Sequence, residues 1–356
     1  TFKVFVNFLP IADITYLVPE LYKNILKSSI KVNGIYYSPP NYLRMSMYLE
    51  LSRPDGDISR WEKVLKRLTL LNKHYPLRGK SCNLVDIQRL FQYGTKKSLN
   101  MTGGKKFKAP DSYLEEEEFL TNMEEKIFFV VRNTLIDQGC VFFGAFANRM
   151  YLKDLKKFKK KKIPKIPDFD VLSEDPKAAA RILKERLEYS GIKRVTVKEK
   201  KGVGEIIAPH YEITVGPESV VFIYEPLACH SYNIIKKGKK TVRVATIDTM
   251  LSFYFAFFYS DRDYYDENRI LCMAQYLFDV QQKNRLQQKG LLKRFSINCY
   301  GKQDTLEEMR NTKAEKYKEL KNKRNSKEYE SWFLRYVPFE EKMEKKEKKE
   351  DNMKKG

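Results

Sequence analysis

Apolar residues recur at helical spacing through residues 58–71, where Trp61, Val64, Leu65, Leu68 and Leu71 share one face and predict a core helix. The period returns over residues 114–138, in Phe119, Met123, Ile127, Val130, Val131 and Leu135. This helix opens on Glu115 to Glu118, acids suited to a positive helix end, and Gly139 stops it. Then the period changes. Residues 140–143 are wholly apolar and predict an interior strand, Gly144-Ala145 predicts a turn, and residues 146–158 predict a second helix carrying Asn148 and Arg149 in its first turn. Residues 166–172 predict a short buried strand. A helix over 177–189 follows, begun by Ser173-Glu174-Asp175-Pro176 and ended by Gly191. Strand-like runs at 195–198, 211–215 and 220–225 come next, the last two joined as a hairpin through Gly216-Pro217-Glu218.

Beyond residue 240 the pattern is helical. Residues 247–259 are almost entirely apolar and aromatic, which predicts a buried helix too short to cross a bilayer, with Thr246 as its N-cap and Asp248 in its first turn. Helices are predicted over 270–288 and 305–324. Residues 1–100 mix short apolar runs at 2–9 and 42–51 with the helix at 58–71, and the Gly/Lys/Ser stretch 96–110 reads as a boundary. The expected class is α+β, with an N-terminal α/β domain (1–110), a central mixed-sheet domain (111–238), a helical C-terminal domain (239–338) and a charged Lys/Glu tail (339–356).

Charge narrows the partners. Lys and Arg number 68 against 46 Asp and Glu, a formal charge of +22 that favours a polyanion through counterion release. The five cysteines are widely spaced and lack a Cys-x-x-Cys pair, so the sequence suggests neither a zinc site nor a disulfide framework, and the expected setting is a reducing, intracellular one without membrane insertion. The three histidines show no metal-ligand spacing, which turns attention to a hard, oxygen-bound cation.

Asp-x-Asp occurs three times. Asp55-Gly56-Asp57 sits in a Pro/Asp/Gly turn, and Asp261-Arg262-Asp263 lies in a polar stretch where Arg262, Asp263 and Asp266 read as a structural cluster. Only Asp168 and Asp170 alternate with apolar residues, Phe169, Val171 and Leu172. Residues i and i+2 of a strand face one side, so these two carboxylates can hold divalent ions together. The Gly144 turn, a strand end leading into a helix, presents backbone N–H groups to a phosphate.

Three segments resemble the poly(A) polymerase catalytic subunits of large cytoplasmic DNA viruses, poxvirus and mimivirus-like, within the nucleotidyltransferase fold of DNA polymerase beta type. They are Phe143-Gly144-Ala145-Phe146-Ala147, Asp168 to Pro176, and Leu227-Ala228-Cys229-His230-Ser231-Tyr232-Asn233. The resemblance spans residues 115 to 290. It implies transfer of AMP from ATP to the 3′-hydroxyl of mRNA with Mg²⁺ or Mn²⁺, Asp168 and Asp170 as ligands, and nucleotide contacts from Gly144, Ala145, Asn148, Ser231, Tyr232 and Asn233. It also implies RNA or phosphate contacts from the basic run 156–165, and a second copy of the chain or a viral processivity subunit as partner, in cytoplasmic factories or the virion. The family's third carboxylate aligns with Phe222. Glu212, across the hairpin, and Glu225, at the strand end, are the two candidates to replace it; without either, the resemblance implies an impaired subunit that binds RNA or supports a dimer.

Overall fold

The structure, a computed structural model, describes residues 2–82, 123–152, 168–237, 240–260 and 266–333. Two compact units emerge, one from Thr1–Leu17 with Asp304–Gly356 and one from Val18–Gln303.

In the smaller unit, β1 (Phe2–Val6) and β2 (Leu9–Ile14) form an antiparallel hairpin. The Lys313 ammonium lies 5.0 Å from the Phe2 ring centroid.

In chain order the larger unit contains α1 (Pro19–Lys27), the hairpin β3 (Ile30–Val32) and β4 (Ile35–Tyr37), α2 (Pro40–Leu51) and α3 (Trp61–His74). Then come α4 (Met123–Asp137), β5 (Val141–Phe143), α5 (Gly144–Leu152), β6 (Phe169–Leu172), α6 (Pro176–Tyr189), β7 (Val195–Lys200), β8 (His210–Val215) and β9 (Glu218–Tyr224). It closes with β10 (His230–Lys237), β11 (Lys240–Ala245), α7 (Ile247–Tyr259), α8 (Glu267–Lys283) and β12 (Cys299–Tyr300). Helices α9 (Leu306–Leu320) and α10 (Lys327–Phe333) belong to the smaller unit.

Eight strands form one mixed sheet in the order β12-β10-β11-β5-β6-β9-β8-β7. Parallel pairs β11–β5 and β6–β9 lie among antiparallel neighbours, so the class is α+β with a mixed sheet, as the pattern predicts. The apolar run at 140–143 becomes β5, with all three residues buried between β11 and β6. Alternation in β6 turns Phe169 to one face and both aspartates to the other. The Phe169 ring packs 5.0 Å from Phe146 and 5.3 Å from Phe128, centroid to centroid, which pins the strand from behind.

Several boundaries differ from expectation. The helix at 270–288 runs from Glu267 to Lys283, started one residue after Asp266, whose carboxylate accepts from the Arg269 N–H at 2.7 Å. The expected helix over 58–71 begins as a 3-10 turn, Ile58–Arg60, before α3. Strands β10 and β11 were concealed by their lysines, since Lys236, Lys237 and Lys240 break the alternation at the hairpin end. The boundary at 96–110, the run 156–165, Arg262, Asp263 and the tail lie outside the described residues.

The cysteine reading needs correction. Cys82 pairs with Cys272 and Cys229 with Cys299, across 190 and 70 residues, separations at which local spacing carries no signal. Cys140 is the free cysteine, with burial pushing its thiol up to about 12. No helix among the described residues is long and apolar enough to cross a membrane.

Candidate active site

Asp168 and Asp170 stand on the face of β6 covered by α7 and are 8% and 0% exposed. Asp168 Oδ2 and both Asp170 carboxylate oxygens have no hydrogen-bond partner among the described residues. Burial, and for Asp168 also the charge of Asp170, drives the pair well above the usual carboxylate range. On Asp168 the Arg269 charge, its own backbone N–H and then the Arg149 charge act in the opposite direction, and the Ala145 N–H, short of full hydrogen-bond geometry, does so on Asp170. Tyr254, on α7, completes the surround, its phenol pushed well up by burial and by both aspartates.

The Gly144 turn is built around Asp170. Gly144 has φ +65°, and a Cβ there would collide with the Asp170 carboxylate, so glycine is required for both backbone and space. The turn, expected to present its N–H groups to a phosphate, holds the Asp170 side chain against the start of α5. Ala145 is 2% exposed beside it. One helical turn on, Asn148 is fully buried, and neither amide atom has a partner among the described residues.

Neither candidate for a third carboxylate lies beside the aspartates. The β8–β9 hairpin turns through Gly216 and Pro217, and a register shift between Ile213 and Thr214 places Glu212 directly across from Phe222. Phe222 in turn pairs with Asp170, so all three share a face. Yet Glu212 is two strands from β6, about 10 Å. Its carboxylate accepts from Ser219 Oγ at 2.5 Å and pairs with Lys200 Nζ at 3.0 Å. Burial would raise this acid, but those contacts and the Lys198 charge outweigh it and hold Glu212 below its ordinary value. Glu225 is exposed, just past β9, and its odd offset from Phe222 turns it to the other face, about 10 Å along the strand. Among the described residues the single cluster of three Asp, Glu, His or Cys ligand atoms is Asp55, Cys229 and Cys299, where both cysteines are disulfide-bonded.

Ser231, Tyr232 and Asn233 lie on β10, three strands from β6. Ser231 Oγ sits 2.8 Å from Thr246 Oγ1, tying β10 to the N-cap of α7. Asn233 Nδ2 donates to the carbonyls of Leu291 and Lys293 at 3.0 and 2.8 Å. These are structural clasps, and the nucleotide contacts implied for this segment are not brought to the aspartates. Two residues with no signal in the sequence act on the pair: Tyr254, within an aromatic helix that reads as core, and Arg269, on a helix far along the chain from β6. Arg149 left a trace, a lone arginine inside an apolar helix.

Residues 1–57 match the family model of the poly(A) polymerase catalytic subunit. The chain is similar to the crystal structure of the Megavirus polyadenylate synthase with a TM-score of 0.61, at 18% identity over 89% of this chain. The fold is that of the Megavirus polyadenylate synthase. The chain spans 60% of the length of the Megavirus protein. No curated protein matches its sequence. The poly(A) polymerase family match takes in the two small hairpins, α1, α2 and the Asp55–Asp57 turn, and does not extend to the Asp168/Asp170 strand.

The aspartate oxygens fit a hard divalent cation: the two carboxylates are buried together, and three of their four oxygens have no hydrogen-bond partner among the described residues. They supply two carboxylates, and Phe222, paired with Asp170 on the neighbouring strand, supplies none.

Proposed function

We propose that the chain is a template-independent RNA nucleotidyltransferase that adds AMP from ATP to an RNA 3′-hydroxyl. The observation carrying this reading is the buried Asp168/Asp170 pair at the head of α5, three of its four carboxylate oxygens without a hydrogen-bond partner among the described residues, within a poly(A) polymerase fold. Mg²⁺ or Mn²⁺ held by the two aspartates would activate the attacking hydroxyl and neutralise charge on the triphosphate. Asp168 and Asp170 fix that position because Phe169 is locked into the aromatic cluster behind them. Arg149 and Arg269, whose charges already act on Asp168, provide positive potential for phosphate oxygens. Tyr254 and the other aromatic residues of α7 close the face and exclude water. A charge of +22 holds the RNA backbone without reading its sequence and suits a second chain or processivity subunit bound on the same strand.

Primer extension tests this directly. A short RNA incubated with each NTP and Mg²⁺ or Mn²⁺ is expected to grow with ATP, and to stop growing in Asp168→Ala and Asp170→Ala. Extension that survives both substitutions overturns the assignment of the site.

A second reading has its own observation. Phe222 in the third-ligand position, and a family match confined to residues 1–57, favour a chain that binds RNA or supports a dimer without turning over. Primer binding with no extension under either metal selects it.

A further inference from the structure

A cavity of about 530 Å³ opens between α3, the C-terminal half of α8 and the segment 284–295. That volume lies in the range of small-molecule sites, roughly 300–1,000 Å³. Its floor is apolar, from Leu65, Leu68, Ile247 and Phe278, and no Asp or Glu among the described residues lines it. Lys73, Arg285 and Lys293 stand on the wall, and no ion pair among the described residues engages them. The fourth cation, Arg294, is committed to Asp248, at 2.8 Å.

One buried polar group in the lining is left open. Gln281 is 7% exposed, its Nε2 donates to Asp248 Oδ2 at 3.2 Å, and its Oε1 has no partner among the described residues. A carboxylate needs the amide NH₂ to face it, so the orientation of Gln281 is fixed and Oε1 remains an acceptor. A buried acceptor left unmet is unfavourable, by about 1–3 kcal/mol. The opposite wall is preformed, since Asn233 holds the Leu291 and Lys293 carbonyls and Gln288 Oε1 accepts from the Arg294 N–H at 3.0 Å.

An apolar slot, a buried acceptor and unpaired cations at the rim are complementary to a flat heterocycle that carries an amine and a phosphate. We propose that this cavity binds a nucleoside 5′-monophosphate unit whose base has an exocyclic amine, adenine, cytosine or guanine. The base lies on the apolar floor with its amine donating to Gln281 Oε1, and the phosphate meets Lys73, Arg285 and Lys293. Uracil, with carbonyls flanking its single ring N–H, satisfies that acceptor less well. The site is distinct from the aspartate pair: Asp248, beneath the cavity, and Tyr254, beside the aspartates, are six residues apart on α7, about 9 Å of helix. It stands whether or not Asp168 and Asp170 support turnover.

Trp61 stacks on Phe295, which lines the cavity, at 5.3 Å between centroids, and therefore reports on occupancy. In the full chain with Trp332→Phe, so that Trp61 is the remaining tryptophan, fluorescence is titrated with AMP, CMP, UMP, inorganic phosphate, r(A)₆ and r(U)₆. Saturable binding of AMP and CMP is expected at least tenfold tighter than UMP or phosphate. The exposed pair Lys73→Glu with Arg285→Glu should weaken it at least tenfold at an unchanged thermal midpoint, and 8-azido-AMP should crosslink to peptides within 61–74 or 278–295. Binding of r(A)₆ alongside AMP identifies an RNA strand as the source, and AMP alone a free nucleotide; either supports the site. No AMP binding, equal affinity for UMP, crosslinks only elsewhere, or an unaffected charge-reversal variant overturns it. Primer extension plays no part in this test.

Discussion

Phe222 lies directly across from Asp170 in the parallel pairing of β6 with β9, so a phenyl ring occupies the point on the sheet where a third carboxylate would complete a cation site. The nearest acid on that face, Glu212, is one strand further and already held by Ser219 and Lys200. Glu212→Gln is therefore expected to change ATP-dependent extension by no more than about threefold, with a stability cost of about 1 kcal/mol for an ion pair whose lysine is 36% and whose carboxylate is 11% exposed. Phe222→Asp, by contrast, should tighten Mn²⁺ binding. Steady-state extension rates and Mn²⁺ titration of the two variants check this. Loss of extension in Glu212→Gln would show that the side chain leaves Lys200 to join the aspartates.

Gly144→Ala should be disabling. Its φ of +65° and the Asp170 carboxylate against its Cα leave no place for a methyl group, so we expect a stability loss of about 1–3 kcal/mol and displacement of Asp170. Denaturant unfolding gives the first and extension the second; a variant with wild-type rate and midpoint contradicts the packing described.

Asp248 is fully buried and clamped by Arg294 through Nε and Nη2 at 2.8–3.1 Å, with Gln281 as the further partner. Arg294→Ala leaves a buried carboxylate uncompensated and should cost about 3–5 kcal/mol. Asp248→Asn placed on top should recover part of the loss, a non-additivity that a double-mutant cycle by urea unfolding measures.

His230 is 2% exposed, packs edge-on to Phe253 at 4.9 Å, and is pushed down to about 3 by burial and then by the Arg53 charge. Its folded pKa lies below its unfolded 6.5, so the unfolded chain binds the extra proton between those values. Stability from this group is complete above about pH 6.5 and declines as pH falls towards 3, by up to about 1.4 kcal/mol per pH unit. His230→Gln should flatten that part of the stability profile; an unchanged acid slope by urea titration contradicts it.

How far the sequence discloses this architecture depends on the range of the contacts. Helix α7 is legible because Thr246 and thirteen nearly continuous apolar residues settle it locally, and β5 and β6 are legible because both are short apolar runs bounded by turns. The aspartate pair is legible for the same reason, since alternation within four residues places both carboxylates on one face. What stays hidden is set at a distance. The pairing of Asp170 with Phe222 depends on β6 and β9 lying parallel. The reach of Glu212 depends on a bulge that no turn residue announces, and the two disulfides join residues 190 and 70 positions apart. Ser231 and Asn233 read as ligand contacts because polar residues near a motif invite that reading, whereas their partners, Thr246 and the carbonyls of Leu291 and Lys293, are found only in the folded chain.

Mn²⁺ titration followed by electron paramagnetic resonance, on the wild-type chain and on Asp168→Asn and Asp170→Asn, tests most directly whether the buried pair is a divalent-cation site. Saturable Mn²⁺ binding that Mg²⁺ displaces, weakened at least tenfold by either substitution, is the expected result. Binding that is absent from the wild-type chain, or equal in all three proteins, contradicts it.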